Sequence, residues 1–188
     1  MHNIAITGSF ASGKTFVLDY LYSIGHEVFS CDDYVKELYE NIAIQELIES
    51  SIEGLGKFNK PNLAKIIYNN KTLRETLENI VHPMVRGAIK EFEQKNIDKN
   101  FIFTEVPLLF ETGFNKYFSY NICVFCSEDT RILRAKARGF FDPIIFEKIK
   151  EIQLSQEEKK NRADFILDSE QKKEIIEKEL NKIMNNIK

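Results

Sequence analysis

The sequence predicts an α/β fold: a central parallel sheet of five strands with helices over both faces, a three-layer α/β/α arrangement. Three observations carry that reading. Short apolar runs of strand character alternate with longer stretches of helical spacing along the 188 residues, and strands separated by helices pair in parallel. The run Gly8-Ser-Phe-Ala-Ser-Gly13-Lys14-Thr15 fits G-x-x-x-x-G-K-[ST] at its four fixed positions. It also lies between an apolar run and a helical pattern, which is the context the motif needs.

The elements follow in order. Ile4-Ala-Ile-Thr7 reads as a buried first strand, and Val17, Leu18, Leu21 and Tyr22 repeat at helical spacing after the glycine run. Ile24-Gly25 punctuates, Glu27-Val-Phe-Ser30 is a second strand, and the pattern turns helical from Asp32 to about Tyr39. Residues 41–95 are mostly helical. Breaks are expected near Gly54-Leu-Gly56 and at Lys60-Pro61, with the pattern resuming through Leu63, Ile66 and Ile67, then Leu73, Leu77, Ile80 and Val81. At His82-Pro83 a kink or break is expected, because proline disfavours the helical conformation of the residue before it. A third strand, 101–106, ends at Pro107. A fourth, about 120–125, leads into an arginine-rich helix over 128–138. Residues 139–162 are polar and helical, Phe165-Ile-Leu167 is the last strand, and 171–187 forms a closing amphipathic helix. No internal repeat or low-complexity linker divides the chain, so a single domain is expected.

Composition narrows the function. A net charge of −3 argues against broad nucleic-acid binding, which needs a basic surface. No stretch reaches the roughly 20 apolar residues of a membrane span, and the first strand starts too early to leave room for a signal peptide. A cytoplasmic location is the expectation. The three cysteines, Cys31, Cys123 and Cys126, are read as reduced thiols. Cys123 and Cys126 have C-x-x-C spacing but share a strand-like run, where side chains three apart point to opposite faces. Core packing is the reading preferred to redox or zinc chemistry.

The glycine run carries the chemistry. Its glycines let the backbone turn N–H groups inward at a phosphate, and the helix that follows adds the positive end of its dipole. Lys14 would reach the β- and γ-phosphates of a nucleoside triphosphate, and the Thr15 hydroxyl would ligate Mg²⁺. Ligands in such sheets gather beyond the carboxyl ends of the strands, which singles out the residues following each one. After strand two, Asp32 and Asp33 offer a general base for an attacking hydroxyl, with helix capping as the competing role. Glu105, at the end of strand three, is a candidate to hold Mg²⁺ through water or an ordinary edge-of-sheet carboxylate. Glu111 reads as a solvated helix residue. Arg131, Arg134 and Arg138 fall at i, i+3 and i+7 on one helical face: either a solvated basic face, or a mobile lid closing guanidinium groups over a transferring phosphoryl group. Arg138-Gly139 gives that lid a hinge. His82 is read either as a substrate contact or as a buried, kink-stabilising residue.

With those residues placed, the chain resembles the dephospho-CoA kinases over nearly its whole length. The matching pieces are Thr7 through Thr15, the stretch Gly25-His-Glu-Val-Phe-Ser-Cys-Asp32, and Leu77-Glu-Asn-Ile-Val-His-Pro83. Val106-Pro-Leu-Leu-Phe-Glu111, Arg134 and Arg138, Gln153, and Arg162-Ala-Asp-Phe-Ile-Leu-Asp168 complete the set. The resemblance implies a P-loop NTPase fold in three parts. These are a nucleotide-binding core (1–34, 96–133 and 163–188), a helical substrate-binding insertion (35–95) and a lid (134–162). It implies ATP-dependent, Mg²⁺-assisted phosphorylation of the ribose 3′-hydroxyl of dephospho-CoA. It also implies ATP contacts at Gly8, Ala11, Ser12, Gly13, Lys14, Thr15, Phe16 and Arg134, with catalytic roles for Asp32, Lys14 and Arg138. Acceptor contacts fall to Asp32, His82, Pro107 and Leu108, and metal contacts to Thr15 and Glu105. Several positions depart from the family pattern. Ser30 stands where a supporting Asp is usual, Ala11 where Gly is usual, and Phe16 follows Thr15 where Ser-Thr is usual. The lid reads Arg-Gly-Phe-Phe-Asp-Pro143 in place of Arg-Asp-Gly, and Asp168-Ser169 replaces Asp-Asn. Ala11 is expected to keep a negative φ, since a Cβ penalises the left-handed region.

Three other classes compete. A nucleoside monophosphate kinase with an Asp-Arg pair after strand three finds no match, because Asp-Arg occurs nowhere. A regulatory GTPase needs Asn/Thr-Lys-x-Asp and Asp-x-x-Gly, and both are absent. A nucleotide-sensing module without activity would not need the full acid, lysine and arginine set.

Overall fold

The computed structural model describes residues 1–139 and 141–187; Phe140, within the expected lid, and Lys188, at the end of the expected core, lie outside the described residues. The chain runs β1 (His2–Thr7), α1 (Lys14–Ser23), β2 (Glu27–Ser30), α2 (Cys31–Leu38), α3 (Ile42–Ser51), α4 (Lys60–Asn69) and α5 (Lys71–Lys95). It continues through β3 (Phe101–Glu105), a 3₁₀ turn (Phe114–Tyr117), β4 (Tyr120–Phe125), α6 (Glu128–Ala137), α7 (Pro143–Ile152), α8 (Gln156–Arg162), β5 (Phe165–Asp168) and α9 (Lys173–Asn186). Two compact units result, Met1–Phe29 with Asn96–Lys188, and Ser30–Lys95.

The first unit is built on a five-stranded sheet in the order β2-β3-β1-β4-β5. β1 runs parallel to β3, with Ile4 opposite Phe103, and parallel to β4, with Ile4 opposite Tyr120; β5 runs parallel to β4. Residues 3–7 of β1 are buried on both faces, as a parallel strand sandwiched between helices requires. Ile4 and Ile6 point to the face where Val17, Leu18 and Leu21 of α1 meet Ile176, Leu180 and Ile183 of α9. Each such side chain contributes roughly 1.5–3 kcal/mol by leaving water. On the opposite face α8 packs on β4, and Thr104 Oγ1 donates to Asn3 Oδ1 (3.0 Å) across β3 and β1. All three cysteines are buried thiols; burial pushes the Cys123 thiol up to about 11 and shifts Cys126 the same way.

The second unit is helical. Leu77, Val81, Val85 and Ile89 recur one turn apart along α5 and are buried, while α2, α3 and α4 all pack against it. The expected interruption at His82-Pro83 does not break the helix: α5 is continuous through Pro83 for 25 residues. An interior proline costs about 3 kcal/mol, and four buried aliphatic side chains flanking it outweigh that. At Lys60-Pro61, by contrast, a new helix starts after the break, and Pro61 opens it. It sits in the first turn of α4, where its missing N–H has no helical partner to lose, and the Asn59 side chain caps that turn by accepting from Asn62 N (3.0 Å). No described helix is long and apolar enough to cross a membrane.

His26 packs edge-on against Phe103, with ring centroids 5.2 Å apart. Burial holds its pKa below 6.5, and burial together with Arg86 does the same for His82. The unfolded chain therefore binds protons more readily at both sites. This contribution to stability is complete above pH 6.5 and declines as pH falls through the lowered folded-state values. Urea unfolding followed from about pH 7 to about pH 5 should show a falling midpoint. His26→Gln should flatten part of that decline and leave the His82 share.

Candidate active site

The glycine run leaves the tip of β1, the central strand, and turns into α1. Gly8 has φ 149°, and a Cβ there would lie 2.2 Å from the Val124 carbonyl oxygen on β4. Only glycine allows that approach. Gly13, at φ 105°, precedes α1, whose N-terminus has no side-chain cap, so its first-turn N–H groups are available to an anion. The expectation for Ala11 fails. Its φ is +60°, the one positive φ outside glycine among the described residues, and it is buried. The loop's path puts position 11 in the left-handed region, and alanine, with the smallest Cβ-bearing side chain, adopts that conformation at a cost of roughly 1–2 kcal/mol.

Charge gathers under this cradle. Lys14 Nζ donates to the carbonyls of Gly8 (3.1 Å) and Ser9 (3.3 Å) and lies 3.8 Å from Glu105 Oε1. Both side chains are buried, so this end of β3 carries a carboxylate beside the loop and not at a solvated edge. Thr15, one residue into the helix, is exposed, and Phe16 is half-buried. Thr15 and Glu105 are oxygen donors of the type Mg²⁺ prefers. No group of three His, Cys, Asp or Glu side chains able to hold a metal occurs among the described residues, and Mg²⁺ in nucleotide sites takes few protein ligands because the phosphates supply the rest.

Arg131 and Arg134 of α6 and Arg138 at its C-cap have separate roles, and the burial of Arg131 corrects the reading of a wholly solvated basic face. Arg131 is buried; it pairs with Glu128 (3.2 Å) and lies over the Phe146 ring, 5.3 Å from its centroid. Arg134 braces the loop: its Nη1 donates to the Ser12 carbonyl (3.1 Å) and to Ser169 Oγ (2.8 Å), and Nη2 to the Ser169 carbonyl (2.7 Å). Ser169 Oγ in turn donates to the Ser12 carbonyl, so the serine in place of the usual asparagine ties β5 to the loop. Arg138 is exposed and lines an open hollow of about 360 Å³ with Gly13, Phe16, Arg134, Ser169 and Lys173.

Beyond β3, Pro107 and Leu108 are half-buried. The Pro107 carbonyl accepts from Lys159 Nζ (2.7 Å), and Lys159 pairs with Glu111 (2.9 Å). Lys159 is wholly buried and Glu111 nearly so. Glu111 is therefore not a solvated helix residue; it serves as the counterion of an interior ammonium. Burial draws the Lys159 pKa below the ordinary lysine value, Glu111 opposes the shift, and Lys14 adds to it. Nothing in Gln-Glu-Glu-Lys-Lys-Asn-Arg162 marks this lysine out, because its neighbours are equally polar.

Asp32 and His82 belong to the helical unit. Asp32 is exposed in the first turn of α2, two residues past β2. The helix cap is neither aspartate but Ser30, whose Oγ accepts from Asp33 N (3.2 Å); the Ser-x-x-Asp spacing was the available signal. Asp33 is bound to Lys36 Nζ (2.6 Å). His82 is half-buried on α5.

A backbone cradle at the carboxyl end of the central strand of a 2-3-1-4-5 parallel sheet, with its lysine folded over it, defines the phosphate-loop kinase class. The family model for dephospho-CoA kinase matches residues 2–174. A dephospho-CoA kinase of Rickettsia bellii is 44% identical over 184 residues, covering 98% of this chain and 96% of the relative. Among solved structures, a Thermus thermophilus protein superposes with a TM-score of 0.84 at 28% identity, covering 100% of this chain and 98% of the other. The dephospho-CoA kinase of Campylobacter jejuni does so with a TM-score of 0.66 at 26% identity, covering 98% and 96%. The chain belongs to the dephospho-CoA kinase family, kinases of coenzyme A biosynthesis that phosphorylate a hydroxyl of dephospho-CoA.

Two substitutions test the loop geometry by thermal or urea unfolding. Ala11→Gly should stabilise by about 0.5–1 kcal/mol, the relief of left-handed strain less the added freedom of the unfolded chain. Gly8→Ala should destabilise by about 3 kcal/mol or more, because strain and collision with the β4 backbone add.

Proposed function

We propose that this chain transfers the γ-phosphoryl group of ATP to the ribose 3′-hydroxyl of dephospho-CoA, giving coenzyme A and ADP. The observation that carries the reading is Lys14, buried with Glu105 and bonded to the loop's own carbonyls beside an uncapped helix start. A triphosphate entering the loop offers that ammonium better acceptors than the Gly8 and Ser9 carbonyls. The loop N–H groups and the α1 dipole favour the same charge. Glycine and alanine positions 8, 11 and 13, with Ser12, shape the cradle; Phe16 and Arg134 border the nucleotide.

In the transfer, the acceptor oxygen bonds to the γ-phosphorus as the bond to the β–γ bridging oxygen breaks, and that oxygen leaves with ADP. The hydroxyl proton passes to the Asp32 carboxylate. Asp33 is engaged with Lys36 and Ser30 is committed to capping, which supports Asp32 as the single working acid. Thr15 and Glu105 would hold Mg²⁺, which when bound neutralises charge on the β- and γ-oxygens. Arg138 shields the moving charge from a lid over 134–162. The helical region of 35–95 takes the acceptor, with contacts from His82 and, on the core, from Pro107 and Leu108. We read the protein as cytoplasmic, acting on small molecules and not on nucleic acid or membranes.

ADP release measured with dephospho-CoA, with deoxynucleoside monophosphates, with shikimate and with no acceptor tests the assignment. Turnover is expected with dephospho-CoA; turnover with the monophosphates alone overturns it. Asp32→Asn should lower kcat by about 10²–10⁴ with ATP affinity nearly unchanged, and full turnover in that variant removes Asp32 from the mechanism.

A further inference from the structure

Three strand tips of the first unit are tied to one short elbow between α7 and α8. At the tip of β1, Phe10 N in the loop donates to Gln153 Oε1 (3.2 Å). Beyond β3, Leu154 N donates to Glu111 Oε1 (2.8 Å). At the end of β4, Gln156 spans the Cys126 backbone, donating to its carbonyl (2.8 Å) and accepting from its N–H (3.3 Å). Ser155 and Glu158 close the turn as a reciprocal capping box. Lys159 lies beneath the elbow, giving one hydrogen to the Pro107 carbonyl and pairing with the same Glu111 oxygen that holds Leu154.

An ion pair this deep is an expensive way to fill space, since apolar residues of similar volume commonly serve stability as well or better. An apolar pair lacks direction. The lysine fixes where one carbonyl points and the glutamate fixes one N–H; between them they set the Pro107 turn, the elbow and, through Gln153, the phosphate loop. We infer that Lys159 and Glu111 are positioning residues that lock the α7–α8 elbow to the phosphate loop and the Pro107 turn, and so set the balance between phosphoryl transfer and wasteful ATP hydrolysis. The inference rests on the kinase reading above. A loosened elbow would admit water beside the bound triphosphate and displace the loop by a fraction of an ångström, and misplacement on the scale of 1 Å is enough to slow transfer about 100-fold.

The test uses the full chain and the variants Lys159→Met, Glu111→Leu and the double variant, which removes both charges together and leaves neither buried alone. The double variant should unfold near the parent's temperature. Its kcat for dephospho-CoA should fall about 10- to 100-fold, and its ratio of acceptor-free hydrolysis to transfer should rise about tenfold or more. Amide exchange at 153–155 should quicken as well. Gln153→Leu, which leaves the ion pair intact, should reproduce the change in ratio and keeps the test available if the charge variants do not fold. A destabilised core variant, Ile183→Val, should move the unfolding temperature and leave the ratio alone. Parent-like ratio and parent-like exchange in a folded double variant, or in Gln153→Leu if the charge variants do not fold, overturn the inference; so does an equal change of ratio in Ile183→Val. Failure of the parent itself to phosphorylate dephospho-CoA strikes the kinase reading, whereas the exchange measurement judges the elbow lock without any turnover.

Discussion

The site depends on how closely the backbone at Gly8 approaches its neighbour. With the Val124 carbonyl 2.2 Å from where a Cβ would stand, and Ser12 Oγ 2.6 Å away, the chain leaves β1 pressed against β4 and must turn at once. That turn sets the width of the cradle. Gly13 is hemmed in similarly, by Ser169 and Arg134 at 3.1–3.2 Å, so the loop is gripped at both ends before any ligand arrives. Preorganisation of this kind makes backbone N–H groups effective against phosphate charge, because they need not reorient when it develops.

The grip comes from side chains distant in sequence. Arg134 and Ser169 hold the Ser12 carbonyl from α6 and the end of β5, and Glu170, next in line, accepts from Ser127 at the start of α6. The nucleotide loop is thus fastened to the elements that follow β4 and β5, and the family's usual asparagine at 169 is not needed for that. A shorter side chain bonded to the loop's own carbonyl does the work here.

Much of the fold was legible because its signals are local. Strand runs and helical spacing placed β1 to β5, α1, α2, α6 and α9 to within about two residues, a margin ordinary for element ends, and the glycine motif is contiguous; the elbow that splits 139–162 into α7 and α8 has no such local signal. Misreadings arose where the outcome depends on a distant partner. Pro83 lies inside a helix because a buried stripe runs past it on both sides. Glu111 reads as solvated until α8 delivers Lys159 to it. Arg131, Arg134 and Arg138 share a spacing, yet one meets a ring and a glutamate, one meets the loop, and one stays in solvent. Ala11 departs from expectation for a different reason: residue type says what a position prefers, and the loop's path imposes a conformation against that preference. Ser30 and Asp33 have the spacing of a capping pair, a local signal that the adjacent acids Asp32 and Asp33 overlap.

The buried cysteines bear on the chemistry of a protein whose proposed product ends in a free sulfhydryl. Cys31, Cys123 and Cys126 are all closed off from solvent. Burial pushes the Cys123 thiol up to about 11, well above neutral pH, and raises Cys126 as well. Thiolate is the species that attacks a disulfide, so Cys123 and Cys126 are poor partners for mixed disulfides with oxidised coenzyme A or its precursor. Burial in and just beyond β4 thereby keeps Cys123 and Cys126 unreactive in a protein that handles a sulfur-bearing metabolite.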